Sequence, residues 1–82
     1  MKIETLNSVK SLLADLFQMD PGEIANDLAF GDLPQWDSMG HMDVMMSLEE
    51  KYAVEISAET IGELVNISAI CAYIEENGRV RN

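Results

Sequence analysis

The sequence is poor in cysteine and in basic residues, and these two shortages exclude several classes of protein. Cys71 is the only cysteine among 82 residues, so an internal disulfide is impossible, and the pattern fits a reducing compartment. Fifteen acidic residues face five lysines and arginines, which gives a formal net charge of -10. Such a chain repels nucleic acid and anionic lipid, and it suits a partner that has a basic surface.

Long apolar runs are also absent from the sequence. No segment is long enough to span a bilayer, and the N-terminus lacks the basic and apolar pattern of a secretory signal. We therefore expect a cytoplasmic protein with no nucleic-acid or membrane partner. Hydrophobic residues still make up 48% of the chain, enough for a packed core. Residues 1–82 are expected to form a single domain, free-standing and monomeric, that buries only about 60–65% of its unfolded surface.

Apolar residues near the N-terminus recur at steps of three and four, which predicts an amphipathic helix over residues 2–18. Its apolar stripe comprises Ile3, Leu6, Val9, Leu12, Leu13, Leu16 and Phe17. Turn residues at positions 20–22 end this helix. The connection that follows is too long for a bare linker in a compact domain. We expect three of its apolar residues to pin it onto the core: Leu28, Phe30 and Leu33.

Cap residues predict three further helical segments. Asp37 is a suitable N-cap for a helix over residues 38–52. Ser57 is a candidate cap for a short helical turn near residues 59–64. Ser68 is predicted to cap a last helix that runs to about Asn77, with Gly78 as its C-terminal stop. Its core face would comprise Ile70, Cys71 and Ile74.

The predicted fold class is all-α. The segment YAVEI, residues 52–56, has the composition of a short strand, but no second strand is available to pair with it. The pattern therefore predicts a small bundle of three main helices plus one short helix.

The predicted helix over residues 38–52 carries two separate stripes on a helical wheel. One sector is suited to face the core and holds His41, Val44, Met45, Leu48 and Tyr52. The other, which we call the methionine–acid stripe, holds Met39, Met42, Met46, Asp43, Glu49 and Glu50. Methionine suits surfaces that repack against several partners, and the acids suit Arg and Lys on those partners, so this stripe is predicted to bind other proteins. The alternative is that its methionines complete the core, although the acids among them are hard to bury.

Ser38 and His41 raise the question of a catalytic pair at the start of this helix. A serine nucleophile needs a histidine within hydrogen-bond reach and a third group that orients it. His41 falls on the core stripe, Asp37 is engaged as N-cap, and no oxyanion hole has an evident source. We therefore assign no catalytic residue, and we interpret His41 as a partly buried residue at the core edge. One histidine and one cysteine on different helices also give no metal-ligand pattern.

Two other interpretations of Ser38 remain. An Asp N-cap followed by a small residue is a common helix start and requires no function, and the local pattern alone favours this interpretation. A phosphodiester on the Ser38 hydroxyl would nevertheless lie where free N–H groups and the positive end of the helix dipole meet.

The segment GDLPQWDSMGHMDVMMSLEEKYAVEI strongly resembles the acyl carrier and peptidyl carrier protein family. The resemblance rests on Asp37-Ser38-Met39 at the start of a helix that ends in LEEKY, and on a helix pattern that covers nearly the whole chain. It implies that Ser38, with Asp37 as part of the motif, carries 4'-phosphopantetheine, transferred from coenzyme A by a phosphopantetheinyl transferase. The terminal thiol would hold an acyl, aminoacyl or peptidyl group as a thioester, and the carrier itself would catalyse nothing.

The resemblance also implies that partner enzymes recognise the methionine–acid stripe. These would be the transferase, an acyl- or aminoacyl-loading enzyme, and downstream synthases or transferases with basic docking surfaces. Gly40 stands where fatty-acid carriers usually have an acid, and Lys51 weakens the acidity of the helix end. The WDSMGHM segment is more similar to carriers of polyketide and nonribosomal peptide pathways. The alternatives are a carrier of the fatty-acid or D-alanine type, and an acidic helical adaptor without a cofactor.

Overall fold

Four helices follow one another in a computed structural model that describes residues 2–78. They are α1 (Ile3–Phe17), α2 (Ser38–Tyr52), α3 (Ala58–Glu63) and α4 (Ile67–Asn77). A single 3₁₀ turn, Pro21–Glu23, follows α1. The described part of the chain contains no strand, and its isolated β-bridge joins Ala29 to Asn66. The predicted all-α class, with three main helices and one short helix, is confirmed.

The core lies where α1 packs against α2 and α4. Helix α1 buries one side of its predicted stripe, including Val9, Leu13 and Phe17. Tyr52 at the end of α2 is buried, and its hydroxyl shares a hydrogen bond with the Ser8 hydroxyl of α1. Ile3, at the start of the predicted stripe, is 68% exposed. Periodicity gives the apolar face of a helix, but it does not show which turns of that face the neighbouring segments cover.

The connection between α1 and α2 is attached to the core as expected, although not by every predicted residue. Leu28 is buried and Leu33 is partly buried against the core. Phe30 remains 42% exposed, so this part of the prediction was wrong. Its ring packs edge-on against His41, with the ring centroids 5.4 Å apart, and the Phe30 N–H donates to the Val65 carbonyl at 2.8 Å. This pairing ties the connection to the segment that joins α3 to α4.

The predicted caps of α2 and α3 are present. The Asp37 carboxylate accepts a hydrogen bond from the Gly40 N–H at 2.9 Å, and α2 begins at the next residue after Asp37. The Ser57 hydroxyl accepts one from the Thr60 N–H at 3.3 Å at the start of α3. Each cap provides an acceptor for a backbone donor that has no partner inside its own helix.

The start of α4 differs from the prediction, whereas its end agrees with it. Asn66, not Ser68, is the N-cap, and its side chain accepts a hydrogen bond from the Ala69 N–H at 2.7 Å. Ser68 therefore lies in the first turn. At the other end the Gly78 N–H donates to the Ile74 carbonyl at 2.7 Å. Gly78 has an extended backbone, and glycine fits because a Cβ would lie 2.9 Å from that carbonyl oxygen.

Candidate functional site

Ser38 is the first residue of α2, and its side chain is exposed. The preceding residue, Asp37, has an extended backbone with φ -98° and ψ -166°, which turns the chain into the helix. The first N–H groups of a helix lack acceptors within the helix, and the positive end of the helix dipole lies among them. The Ser38 hydroxyl is thus accessible and lies where a negatively charged substituent is stabilised.

The His41 ring forms its hydrogen bonds with residues other than Ser38. Its Nδ1 accepts a hydrogen bond from Trp36 Nε1 at 2.9 Å, and its Nε2 lies 2.7 Å from the Ile61 carbonyl oxygen. Both ring nitrogens are therefore occupied, and neither is directed at the serine hydroxyl. His41 is 5% exposed, which places it on the buried side of α2 as the helical wheel predicted. The geometry gives Ser38 no neighbouring imidazole to act as its base.

Trp36 holds the end of the connection in the core, a role that the sequence did not reveal. It is fully buried, and its ring centroid lies 5.9 Å from that of Phe17 on α1. A buried indole N–H usually needs an acceptor, and the histidine five residues further along provides one. The presence of a single tryptophan close to a single histidine was the available signal.

Gly40 lies where α2 comes very close to the connection. A Cβ added at Gly40 would be 1.9 Å from the Gln35 carbonyl oxygen, and this oxygen belongs to the backbone. Any larger residue would therefore push the connection away from the start of α2. The sequence marked Gly40 as a departure from fatty-acid carriers, and the structure gives a packing reason for the absence of an acid there.

An apolar groove of about 370 Å³ opens beside Ser38. Its walls come from the connection, from α2 and from α3 with the residues that follow it. We call it the Ser38 groove, and its lining residues are Phe30, Ser38, His41, Met42, Ile61, Gly62 and Val65. A group attached to the Ser38 hydroxyl would have a helix N-terminus at its anionic end and an apolar surface next to it.

The methionine–acid stripe lies on the exposed side of α2. Met39 is 80% exposed, Met42 45% and Met46 61%, so the alternative that these methionines complete the core is wrong. The three acids of the stripe are exposed as well: Asp43, Glu49 and Glu50. The five residues that the wheel assigned to the core are the buried residues of α2: His41, Val44, Met45, Leu48 and Tyr52.

The single thiol of the chain is not available for chemistry at this site. Cys71 is fully buried in α4, and burial, followed by the nearby charge of Glu75, raises the pKa of its thiol. A buried thiol with a raised pKa is a poor nucleophile. Among residues 2–78, no three side chains of His, Cys, Asp or Glu are grouped to hold a metal ion. No helix in that range is long and apolar enough to cross a membrane.

Comparisons with known proteins agree on one family. The model of the phosphopantetheine attachment site matches residues 7–74. An acyl carrier protein of Helicobacter hepaticus is 29% identical over 75 residues, which cover 92% of this chain and 99% of that protein. Acyl carrier proteins of Thermosynechococcus vestitus and Chlamydia trachomatis are each 30% identical over 71 residues, or 87% of this chain. The alignments cover 88% and 92% of those two proteins.

Proposed function

The chain belongs to the phosphopantetheine attachment site family and is a carrier of covalently bound 4'-phosphopantetheine, and we propose that Ser38 is the residue that holds this group. The observation that carries the proposal is the position of Ser38: exposed, first in α2, and at the edge of an apolar groove. The helix N-terminus suits the phosphodiester, and the groove suits the less polar atoms that follow it. Asp37 contributes as the N-cap that fixes the start of the helix.

The Ser38 hydroxyl acts as the acceptor in the attachment reaction. Its oxygen forms a bond to the phosphorus on the pantetheine side of coenzyme A, its proton is lost, and 3'-phosphoadenosine 5'-phosphate leaves. Because both nitrogens of His41 are already hydrogen-bonded, a separate phosphopantetheinyl transferase must supply the base. When bound, the group supplies a thiol at which an acyl, aminoacyl or peptidyl chain is held as a thioester.

The methionine–acid stripe is the proposed docking surface for partner enzymes. Its methionines are exposed and flexible, which allows one surface to fit several enzymes in turn. Its acids, within a chain of net charge -10, favour partners with basic surfaces. The partners proposed are the transferase, an acyl- or aminoacyl-loading enzyme, and downstream synthases or transferases. We assign the docking role to Met39, Met42, Asp43, Met46, Glu49 and Glu50.

The pathway proposed for this carrier is polyketide or nonribosomal peptide biosynthesis. The support comes from the WDSMGHM segment and from Lys51 at the end of α2, both of which depart from the fatty-acid pattern. Gly40 contributes less to this argument, since its packing against Gln35 is sufficient to explain it. A cytoplasmic location and a monomeric state complete the proposal. Loading with an amino or aryl acid by an adenylation enzyme, or chain extension by a polyketide ketosynthase, would support it, and loading by fatty-acid enzymes alone would contradict it.

Intact-mass spectrometry tests the assignment of Ser38. The protein is incubated with coenzyme A and a phosphopantetheinyl transferase, together with Ser38→Ala and with Ser47→Ala, a second serine of α2. The wild type and Ser47→Ala should each gain the mass of one phosphopantetheinyl group, and Ser38→Ala should gain none. A gain in Ser38→Ala, or no gain in the wild type, would overturn the proposal. The adaptor alternative requires that none of the three proteins gains mass.

A further inference from the structure

The His41 ring lies where the Ser38 groove meets the core. It lines the groove, although it is only 5% exposed. It contacts the partly exposed ring of Phe30, with the centroids 5.4 Å apart and an interplanar angle of 82°. It also stacks on the fully buried ring of Trp36, with the centroids 6.2 Å apart and an angle of 26°. The imidazole therefore separates the surface of the groove from the interior.

Two hydrogen bonds hold the imidazole in this place. The indole N–H of Trp36 is a donor only, so it donates to Nδ1, and Nε2 in turn donates to the Ile61 carbonyl at 2.7 Å. Ile61 belongs to α3, so the second bond spans the gap between α2 and α3. Movement of the ring would leave the buried indole N–H without a partner, which is costly. Both nitrogens therefore keep the ring where it is.

The position of the ring limits what a group in the groove can reach. An apolar group has a reason to move into the core, because the burial of apolar surface is favourable. The way inward between α2 and α3 leads past His41 and its bond to Ile61, towards Trp36 and Leu48, which are both fully buried. Protein interiors are close-packed, and extra methylene groups force their side chains out of preferred rotamers. A long alkyl chain would have to displace the ring and expand this packing.

We propose that His41 is a positioning residue that keeps a group attached through Ser38 in the surface groove and out of the core, so that the carrier takes short acyl, aryl or aminoacyl groups and not long alkyl chains. The cargo class rests on the proposed function, because it takes Ser38 as the point of attachment. The groove itself offers apolar surface from Phe30, Ile61 and Val65, which suits aryl and small apolar groups.

A chemical tether at position 38 tests the proposal without coenzyme A or a transferase. In Ser38→Cys the introduced thiol is exposed, whereas Cys71 is fully buried, so an alkyl methanethiosulfonate couples at position 38. One sample receives a methyl group and a second sample receives an octyl group. Nuclear magnetic resonance then records which side chains lie close to the octyl chain.

The octyl protons should show nuclear Overhauser contacts with Ile61 and Val65. The signals of Leu48 and of the Trp36 indole N–H should be the same in the methyl and octyl samples. Contacts between the octyl protons and Leu48 would overturn the proposal. Contacts with neither set of residues would overturn it as well, because the chain would then not use the groove.

Removal of the imidazole tests whether His41 is the barrier. His41→Ala, combined with Ser38→Cys, leaves open space beside Trp36 and removes the bond to the Ile61 carbonyl. The octyl protons should then show contacts with the Trp36 ring that are absent when His41 is present. An octyl chain that still contacts Ile61 and Val65 alone would overturn the proposal. If the double variant fails to fold, Ser38→Cys alone decides.

The natural attachment provides a second readout, in which octanoyl-coenzyme A and a transferase load the wild type and the same contacts are recorded. If Ser38 accepts no phosphopantetheine and the tethered octyl chain stays in the groove, the assignment of Ser38 is wrong and the role of His41 as a barrier stands. If Ser38 is modified and the octanoyl chain contacts Leu48, the role of His41 is wrong and the assignment of Ser38 stands.

Discussion

Met45 and Met46 are neighbours in the sequence and lie on opposite sides of α2. Met45 is 1% exposed and Met46 is 61% exposed. The first fills space in the core, whereas the second presents an apolar side chain to water on a face that carries Asp43, Glu49 and Glu50. The same residue type thus stabilises the fold at one position and provides a surface at the next. The buried side of α2 positions Ser38, and we assign the exposed side to partners.

The largest effect is expected at Trp36, which lies in the core and donates a hydrogen bond to His41 on the buried side of α2. Trp36→Ala removes a fully buried ring and the partner of His41, and it should lower the free energy of unfolding by about 3–5 kcal/mol. Trp36→Phe keeps a ring but leaves the Nδ1 acceptor of His41 without its donor, which should cost less, about 1–3 kcal/mol. Urea denaturation measures both values. A loss below about 1 kcal/mol for Trp36→Ala would show that the connection is not held by this residue.

The pair Met45→Ala and Met46→Ala tests whether one side of α2 lies in the core and the other side is exposed. Met45→Ala should destabilise the protein by about 2–5 kcal/mol, since it leaves a cavity in the core. Met46→Ala should change stability by no more than about 0.5 kcal/mol, since the side chain is exposed. Thermal or urea denaturation provides the comparison. Equal effects on stability would contradict the assignment of Met45 to the core and of Met46 to the surface.

Gly40 and Gly62 form a matched pair of helical glycines. Gly40→Ala should destabilise the protein by more than about 1 kcal/mol, because its Cβ would collide with the Gln35 carbonyl oxygen. Gly62→Ala meets nothing within 4 Å and should stabilise by about 0.4–1 kcal/mol through the loss of unfolded-state entropy. The free energies of unfolding of the two variants measure this difference. A neutral Gly40→Ala would remove the packing explanation for this glycine.

The acids of the exposed side should affect association and leave stability nearly unchanged. The double substitution of Glu49 and Glu50 to Lys should slow modification of Ser38 by a basic-surfaced transferase several-fold at low salt, roughly as expected for the loss of electrostatic steering. Its rate should also depend less on salt than that of the wild type. The double substitution of Glu4 and Glu76 to Lys, which changes the net charge by the same amount outside the stripe, is the control. If it slows modification as much, net charge alone is responsible and the stripe has no special role.

The smallest effect is expected at Glu75, an exposed acid on α4 whose carboxylate accepts a hydrogen bond from the backbone near the start of the chain. The Lys2 backbone N–H lies 2.6 Å from Glu75 Oε2, and this hydrogen bond, with a smaller one from the Thr5 hydroxyl, lowers the pKa of Glu75. Since the folded pKa is below the unfolded value, Glu75 contributes stability above the unfolded pKa, and the contribution is lost as pH falls through the folded pKa.

Glu75→Gln should therefore destabilise the protein slightly at neutral pH and not at all in acid below the lowered pKa. Denaturation curves of the variant and the wild type at both pH values measure the difference. Glu49→Gln, on the exposed side of α2, should not change stability at either pH. A pH-independent effect of Glu75→Gln would contradict this account of the hydrogen bond.

The two sides of α2 could be predicted from the sequence because they depend on the helical period alone. Once Asp37 is taken as the N-cap, a repeat of 3.6 residues determines which side chains share a face. The wheel therefore separated Met45 from Met46 and placed His41 with the core, and burial in the structure agrees at each of these positions. The assignment of Ser38 as the attachment residue stays a prediction, and so does the docking role of the stripe.

The features that the sequence could not reveal depend on contacts between distant segments. Asn66 and Ser68 are both suitable caps, and the choice is made by tertiary pairing. The Ile67 N–H donates to the Leu28 carbonyl at 3.1 Å and keeps the chain extended as far as Asn66. The approach of the Gln35 carbonyl to Gly40 also follows from the path of the connection. No residue pattern along the chain encodes either distance.

The attachment of phosphopantetheine to Ser38 is tested by locating the added group within the modified chain. After incubation with coenzyme A and a phosphopantetheinyl transferase, the protein is digested and its peptides are fragmented in a mass spectrometer. One phosphopantetheinyl group, attached to Ser38, is expected in the wild type and equally in Ser47→Ala. A group on Ser47 or on any other residue, or no group in the folded wild-type protein, would contradict it.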